Sequence, residues 1–390
     1  MQRIIRRPGG LGGAVALAAA VALTAATVGA SAPAKTPPPS PLTRVLAQLK
    51  GLSPAAREAK LYSLAKAEGK VVWYTSLDTV LAKQLQTAFQ TKYPGVTADL
   101  VRAPSETLDA RVISEEQAGT PGADVIETNG PDMFIFQHKV DVLVPYTGSP
   151  YAAAIPKRLH YETFMGDRYN NYVVAWNTNL VPAGQEPKTW DELATSKWAG
   201  KLSIEASDID WYATLYQNFE KQKLAAVRPK PATKKARAAA KARIDRGLDA
   251  FFAAMVKNAQ LVSGHTTQAN LLAAGQFAVS VTSYAHYIEA LQKTHAPVAF
   301  TPFLQPVLRR EQGIGIAYRL QHPAAALLFY DWDLMKDGGQ KALLDAGSAP
   351  ARTDMRDVQL NGAHVVPINL RATVLHWGYW SKRWAALTQH

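Results

Sequence analysis

The sequence predicts an α/β protein built from two successive lobes with a ligand cleft between them. Short apolar runs alternate with helix-period segments from Leu61 to about residue 135, the signature of βαβ units on a parallel sheet. The same alternation restarts after Tyr169. A length of 390 residues, 47% of them hydrophobic, is enough for two cores of ordinary domain size.

The elements follow in order. Residues 61–68 read as the end of an amphipathic helix stopped by Gly69, and residues 71–75 as a buried strand. A helix over 79–93 puts Leu81, Leu85, Ala88 and Phe89 on one face, and Pro94-Gly95 ends it before a strand over 96–101. A helix over 105–118 and a strand over 123–126 come next, and the turn Asn129-Gly130-Pro131-Asp132 opens a further helix. In the second unit the expected order is a strand over 172–176, a short helix over 190–193, a strand over 201–204 and a helix over 210–219. A helix over 248–257, a strand over 279–282 and a helix over 284–293 complete it. Trp73 and Trp176 fall in strands and are expected in the core. Trp211, at a helix start in a polar loop, is the candidate for a cleft wall.

Residues 1–30 read as an export signal. Arg3, Arg6 and Arg7 precede a small-residue apolar run from 14 to 28, with cleavage expected after Ala30. The run is short and Ala-rich for a membrane anchor. Arg6-Arg7 leaves twin-arginine and general export both open. Residues 31–54 are assigned as a Pro-rich linker. The absence of cysteine excludes disulfides, thiolate metal sites and cysteine nucleophiles.

The net charge of +12 is local rather than general: residues 220–246 carry ten Lys and Arg against Glu220 and Asp245. With the signal also set aside, the remaining chain is near neutral. The segment reads as a loop and an exposed helix from about Thr233. No aromatic residue lies between Phe219 and Phe251 to stack on bases, so no nucleic-acid partner is expected and a solvated insertion is the plain reading.

In open α/β sheets, ligands sit beyond the carboxyl ends of strands, where loops enter helix N-termini. Four loops qualify, at 75–78, 127–130, 206–210 and 283–287, each rich in hydroxyls and short polar side chains. The expected ligand-binding residues are Thr75, Ser76, Asn129, Ser207, Asp210, Tyr284, His286 and Tyr287. Plainer roles stand beside these: Tyr284 and Tyr287 share a helix face and can pack, while Asp78, Asp208 and Asp210 can cap helices. No H-E-x-x-H or G-x-S-x-G pattern occurs, and no enzyme is expected.

The run Pro187-Lys188-Thr189-Trp190-Asp191-Glu192-Leu193, continued by Lys197-Trp198-Ala199-Gly200-Lys201-Leu202, resembles a segment of the periplasmic solute-binding proteins of ABC importers. Residues 65–76, 89–96, 122–125, 322–329 and 338–340 are similar to other segments of that family, in order, in the branch that includes ferric-iron-binding proteins. The resemblance implies the two-lobed periplasmic-binding-protein fold with two crossover strands, near 172–178 and 298–303, and hinge closure on ligand. It implies a first lobe over 55–171 with the chain returning over 304–390, and a second lobe over 172–303 carrying the 220–246 insertion. It also implies a monomeric periplasmic carrier without a cofactor, whose partner is an inner-membrane ABC permease.

Ferric members hold the metal through adjacent tyrosines, often with a histidine and an acid. By alignment the tyrosines fall on His286 and Tyr287 with Tyr284 beside them, the histidine near Asp78 and the acid on Asn129. Ferric iron as cargo would use Tyr284, His286 and Tyr287, since phenolate oxygen suits a hard cation. A small organic or phosphorus-containing solute would use hydroxyls, His286 and helix N-termini instead. Both ligand classes stay open here, as do an exported enzyme on the same scaffold and an envelope binder of anions or nucleic acid through 220–246.

Overall fold

The computed structural model describes residues 41–389 apart from 121, 357 and 358. The expected export signal, its cleavage site near Ala30 and residues 31–40 of the expected linker lie outside the described residues. The chain begins α1 (Pro41–Leu49), α2 (Pro54–Glu68), β1 (Lys70–Thr75), α3 (Thr79–Lys92), β2 (Thr97–Arg102), α4 (Ser105–Gln117), β3 (Val125–Asn129) and α5 (Gly130–Ile135). It continues β4 (Phe164–Asn177), α6 (Trp190–Leu193), β5 (Leu202–Glu205), α7 (Ile209–Ala226), α8 (Lys234–Lys257), β6 (Ala259–Val262), α9 (His265–Ala273), β7 (Val279–Tyr284) and α10 (Ala285–Lys293). It closes with β8 (Val298–Ala299), β9 (Val307–Ile316), α11 (Pro323–Leu334), α12 (Gly339–Asp345), β10 (Ala349–Pro350), β11 (Val365–Pro367), α13 (Leu370–Leu375) and α14 (Trp377–Thr388).

Local chemistry explains many of the boundaries. Ser53 caps α2 in front of Pro54, and Gly69 ends it in the left-handed conformation that glycine adopts without steric cost. Asp78 caps α3 by accepting from the N–H groups of Val80 and Leu81. Thr233 caps α8 through the N–H of Ala236.

One mixed sheet runs through the molecule in the order β2-β1-β3-β9-β4-β7-β5-β6. Its outer strands pair in parallel, while β3, β9, β4 and β7 pair antiparallel in the middle. Two cores share it. The first packs Trp73, Phe89, Phe329 and Trp332, with the wholly buried α11 at its centre. The second packs Trp190, Trp211, Tyr212, Phe252 and Trp380, and a smaller cluster on Val173, Leu272 and Ile288 adjoins it.

The side chains of β4 change core between Tyr169 and Tyr172, and those of β9 between Leu308 and Ile314. These are the two crossover strands. The first therefore starts earlier than the expected 172–178, and the second is not at 298–303, where only the two-residue β8 forms. Pro302 and Pro306 interrupt the pattern there, and Arg309-Arg310-Glu311-Gln312 hides the apolar signature of the true strand.

Three further expectations are corrected. The described part of the assigned linker contains a helix, α1, whose Leu42, Val45 and Leu49 are buried in the first core. The chain end assigned to the first lobe turns away from it: Trp380 and Trp384 of α14 pack on Tyr212 and Tyr216 of the second core, and Trp384 donates to the carbonyl of Ala206. The exposed helix from Thr233 and the one expected over 248–257 are a single 24-residue helix, α8, because alanine and straight-chain residues carry the helix through the basic stretch.

Candidate functional site

β4 and β9 pair with Arg168 opposite Gln312 and Asn170 opposite Arg310. Successive side chains alternate across a strand, so these four residues project to one side. They form the floor of a cleft of about 290 Å³ between the two cores. From the first core, the loops entering α3 and α4 supply Ser76, Asp78 and Glu106, and Asn129 stands at the end of β3. From the second core come Ser207, the start of α9 at His265, Thr266 and Thr267, and the start of α10 at His286 and Tyr287. A larger surface groove of about 430 Å³ beside α7 and α8 is lined by Trp190, Phe219 and Phe251 with Asp191, Gln222, Lys223 and Arg243, all from elements of the second core, so it does not join the two cores.

Both floor arginines are buried and each faces its own carboxylates. Arg168 Nη1 donates to Glu127 and, at 2.7 Å, to Asp167, while its Nε has no partner among the described residues. Arg310 donates to Asp210 Oδ2 (2.7 Å), Asp208 Oδ1 (2.8 Å) and the Tyr284 hydroxyl (2.8 Å). His265 Nδ1 lies 3.0 Å from the Thr282 carbonyl and Nε2 lies 3.3 Å from Asp208 Oδ1. Both neighbours are acceptors, an arrangement that favours the doubly protonated ring. Burial alone would lower its pKa, but Asp208 outweighs burial and raises it. Burial likewise opposes the charge on Asp208, yet His265 and Arg310 hold its pKa below the usual value. His286 is the opposite case: burial, aided by Arg168, lowers its pKa to about 3 and keeps it neutral.

The acceptors bordering the cleft are largely spent. Glu205 takes the N–H and hydroxyl of Ser207 on one oxygen and the N–H of Gly264 on the other. Asp78 is used on α3, and the Asn129 carbonyl takes the N–H of Asp132. The donors are not spent. Among the described residues no side chain caps α4, α9 or α10, so their first N–H groups are open toward the cleft.

Of the residues singled out in the sequence, Ser76, Asn129, Ser207, Tyr284, His286 and Tyr287 line this one cleft. Thr75 and Asp210 lie behind its wall, fully buried. Thr75 accepts from the N–H of Leu77 and shapes the turn, and Asp210 is occupied by Arg310 and the N–H of Trp211. Trp211 is not a cleft wall either, since it packs 6.0 Å from Trp190 in the second core. Arg168, Asn170, Arg310, Gln312 and His265 were missed. Arg168/Asn170 and Arg310/Gln312 each alternate at strand period, a signal readable only once β9 is recognised as a strand.

The one group of three His, Asp or Glu residues close enough to hold an ion, among the described residues, is Glu205, Asp208 and His265, with ligand atoms within 4.8 Å. An ion there would have to displace the His265 proton that the facing Asp208 favours. The phenol of Tyr284, which accepts from Arg310, has a pKa raised by burial despite that arginine.

The sequence profile of bacterial extracellular solute-binding proteins matches residues 84–364. The chain belongs to that family. No curated protein matches it. Solved structures with the same fold include the periplasmic binding protein AfuA from Actinobacillus pleuropneumoniae with fructose-6-phosphate bound (TM-score 0.67, 17% identity, 83% of this chain and 99% of that one). Iron-bound HitA from Pseudomonas aeruginosa is similar at TM-score 0.64 and 15% identity, over 82% and 99% of the two chains. MotA from A. tumefaciens B6, in complex with glucopine, is similar at TM-score 0.62 and 15% identity, over 82% and 99%. The fold of this solute-binding protein is thus shared by proteins with unlike ligands bound.

Proposed function

We propose that this solute-binding protein is the exported, non-enzymatic receptor of an ABC importer, which captures a small organic anion, a phosphate ester above all, and delivers it to an inner-membrane permease. The observation that carries the ligand class is the imbalance in the cleft: Glu205 and Asp78 already accept from the protein, while the first N–H groups of α9 and α10 have no side-chain cap and the Arg168 and Arg310 guanidiniums stand in the floor. A phosphate group has several acceptor oxygens and suits helix N-termini and guanidinium together. The hydroxyls of Ser76 and Ser207 and the amides of Asn129, Asn170 and Gln312 suit the polar remainder of such a molecule. Closure follows if the ligand bridges both walls, because contacts made only in the closed state shift the open–closed equilibrium. The exogenous fructose-6-phosphate bound in the AfuA structure is consistent with this class.

Thermal unfolding with fructose 6-phosphate, fructose, inorganic phosphate and ferric citrate as probes tests the reading. A rise in Tm with the phosphorylated probes and none with fructose is expected. Ferric iron is the second reading, favoured by Tyr284, His286 and Tyr287 lying together at the start of α10. A saturable visible phenolate-to-iron band with ferric citrate, abolished by Tyr287→Phe, would establish iron and overturn the anion.

A further inference from the structure

The basic stretch plays no part in the cleft. Residues 220–246 form the end of α7, a loop and the first half of α8, and no residue from Lys221 to Lys241 is buried. Both acids of this helical hairpin are bound to one lysine: Lys241 lies 2.5 Å from Glu220 and 2.9 Å from Asp245. Among the described residues no other lysine or arginine of the segment is in an ion pair, and Arg228 donates only to carbonyls of its own turn. The hairpin therefore presents nine uncompensated cations.

Its placement is as telling as its charge. α7 starts at Asp208 and Asp210 beside the cleft and runs for 18 residues, which at about 1.5 Å per residue carries the hairpin tip roughly 27 Å away. On α8, Lys234, Lys235, Arg237, Lys241, Arg243 and Arg246 spread around the helix axis, with alanines between them, so no single face is basic. A shaped macromolecular groove needs a defined face, and nucleic acid is further helped by stacking rings, which this segment lacks. A plane of anionic headgroups needs only charge density.

We propose that the α7–α8 hairpin docks the protein electrostatically on a membrane surface rich in anionic lipid, with the cleft left free. The inference does not depend on which ligand the cleft takes. Co-sedimentation of the full chain with vesicles of about 30% phosphatidylglycerol in phosphatidylcholine, against pure phosphatidylcholine, tests it at about 50 and 500 mM salt. The comparison variant is Lys230→Gln/Lys234→Gln/Lys235→Gln/Arg237→Gln. Its sites are exposed, and because the first 30 residues are common to both chains, their contribution cancels. Binding to the anionic vesicles alone is expected, weakened by salt and lowered in the variant by on the order of 1000-fold. Equal binding to neutral vesicles, no binding, or binding that survives the four substitutions overturns the proposal. So does retardation of a short DNA duplex at lower protein concentration than vesicle binding requires, which would reassign the hairpin to nucleic acid. The salt and neutral-vesicle arms need no variant.

Discussion

Nε2 of His265 lies 3.3 Å from Oδ1 of Asp208, and the same carboxylate oxygen accepts from Arg310. One buried acid thus holds two cations on the second-core wall of the cleft. The His265 pKa is raised from 6.5 in the folded chain, so the pair's contribution to stability is complete below about pH 6.5 and is lost as pH rises through the folded value. An NMR titration of His265 should show a midpoint above 6.5, and His265→Gln should flatten the decline of Tm on the alkaline side. A midpoint at or below 6.5 would remove the imidazolium from the cleft.

Arg310 ties β9 to the carboxylates at the head of α7. Truncating it in Arg310→Met strands Asp208 and Asp210, both buried, and should cost about 3–5 kcal/mol in urea unfolding. Adding Asp208→Asn and Asp210→Asn removes the stranded charges and should recover much of that loss. If the triple variant is no more stable than Arg310→Met, the cost comes from lost packing instead.

How much of this was legible in the sequence varies along the chain. The first α/β unit could be read because its punctuation is local: Gly69, Asp78 and Pro94-Gly95 end or begin elements by their own backbone chemistry. β9 was hidden because its cleft-facing residues are Arg310, which is neutralised by Asp210 a hundred residues earlier, and Gln312, which pairs in register with Arg168 on β4, so a buried strand looks like a charged loop. The cleft residues at strand ends, from Ser76 to Tyr287, follow a rule of α/β topology and were visible. The floor was not, because it depends on the register between two strands more than 130 residues apart. Trp211 shows the converse failure. A polar flank in sequence says nothing about which side of α7 the ring faces.

Ser207 Oγ lies 2.7 Å from Glu205 and 3.0 Å from Glu106 at the start of α4, so one hydroxyl joins the two walls at the cleft mouth. Its single proton serves one acceptor at a time. Glu106→Ala removes only the arm from the first wall. An exposed bond of this kind is worth about 0.5–1.5 kcal/mol, so the unliganded chain should open measurably while its Tm stays nearly unchanged. Small-angle scattering provides the test: an identical radius of gyration in the two proteins would show that this contact does not hold the walls together.

Asp109 of α4, half-buried, and Asp132 of α5, buried, form an acidic pair behind the first wall. Burial, with the neighbouring carboxyl adding to it, pushes Asp109 up to about 10, and burial pushes Asp132 up to about 7. Both values exceed the 3.8 of an ordinary aspartate, so the folded chain holds protons that the unfolded chain releases. The linkage then runs against stability as pH rises, from about 4 to 7 for Asp132 and on to about 10 for Asp109. Asp109→Asn replaces the protonated acid with a neutral group of the same shape whose N–H can still reach Asp132. Relative to wild type it should gain stability progressively between pH 5 and pH 9, with the smallest difference at the acid end. Calorimetric Tm values taken across that range decide the matter: parallel curves would mean that Asp109 is ionised in the folded chain, and that the pair is held by partners other than its own shared proton.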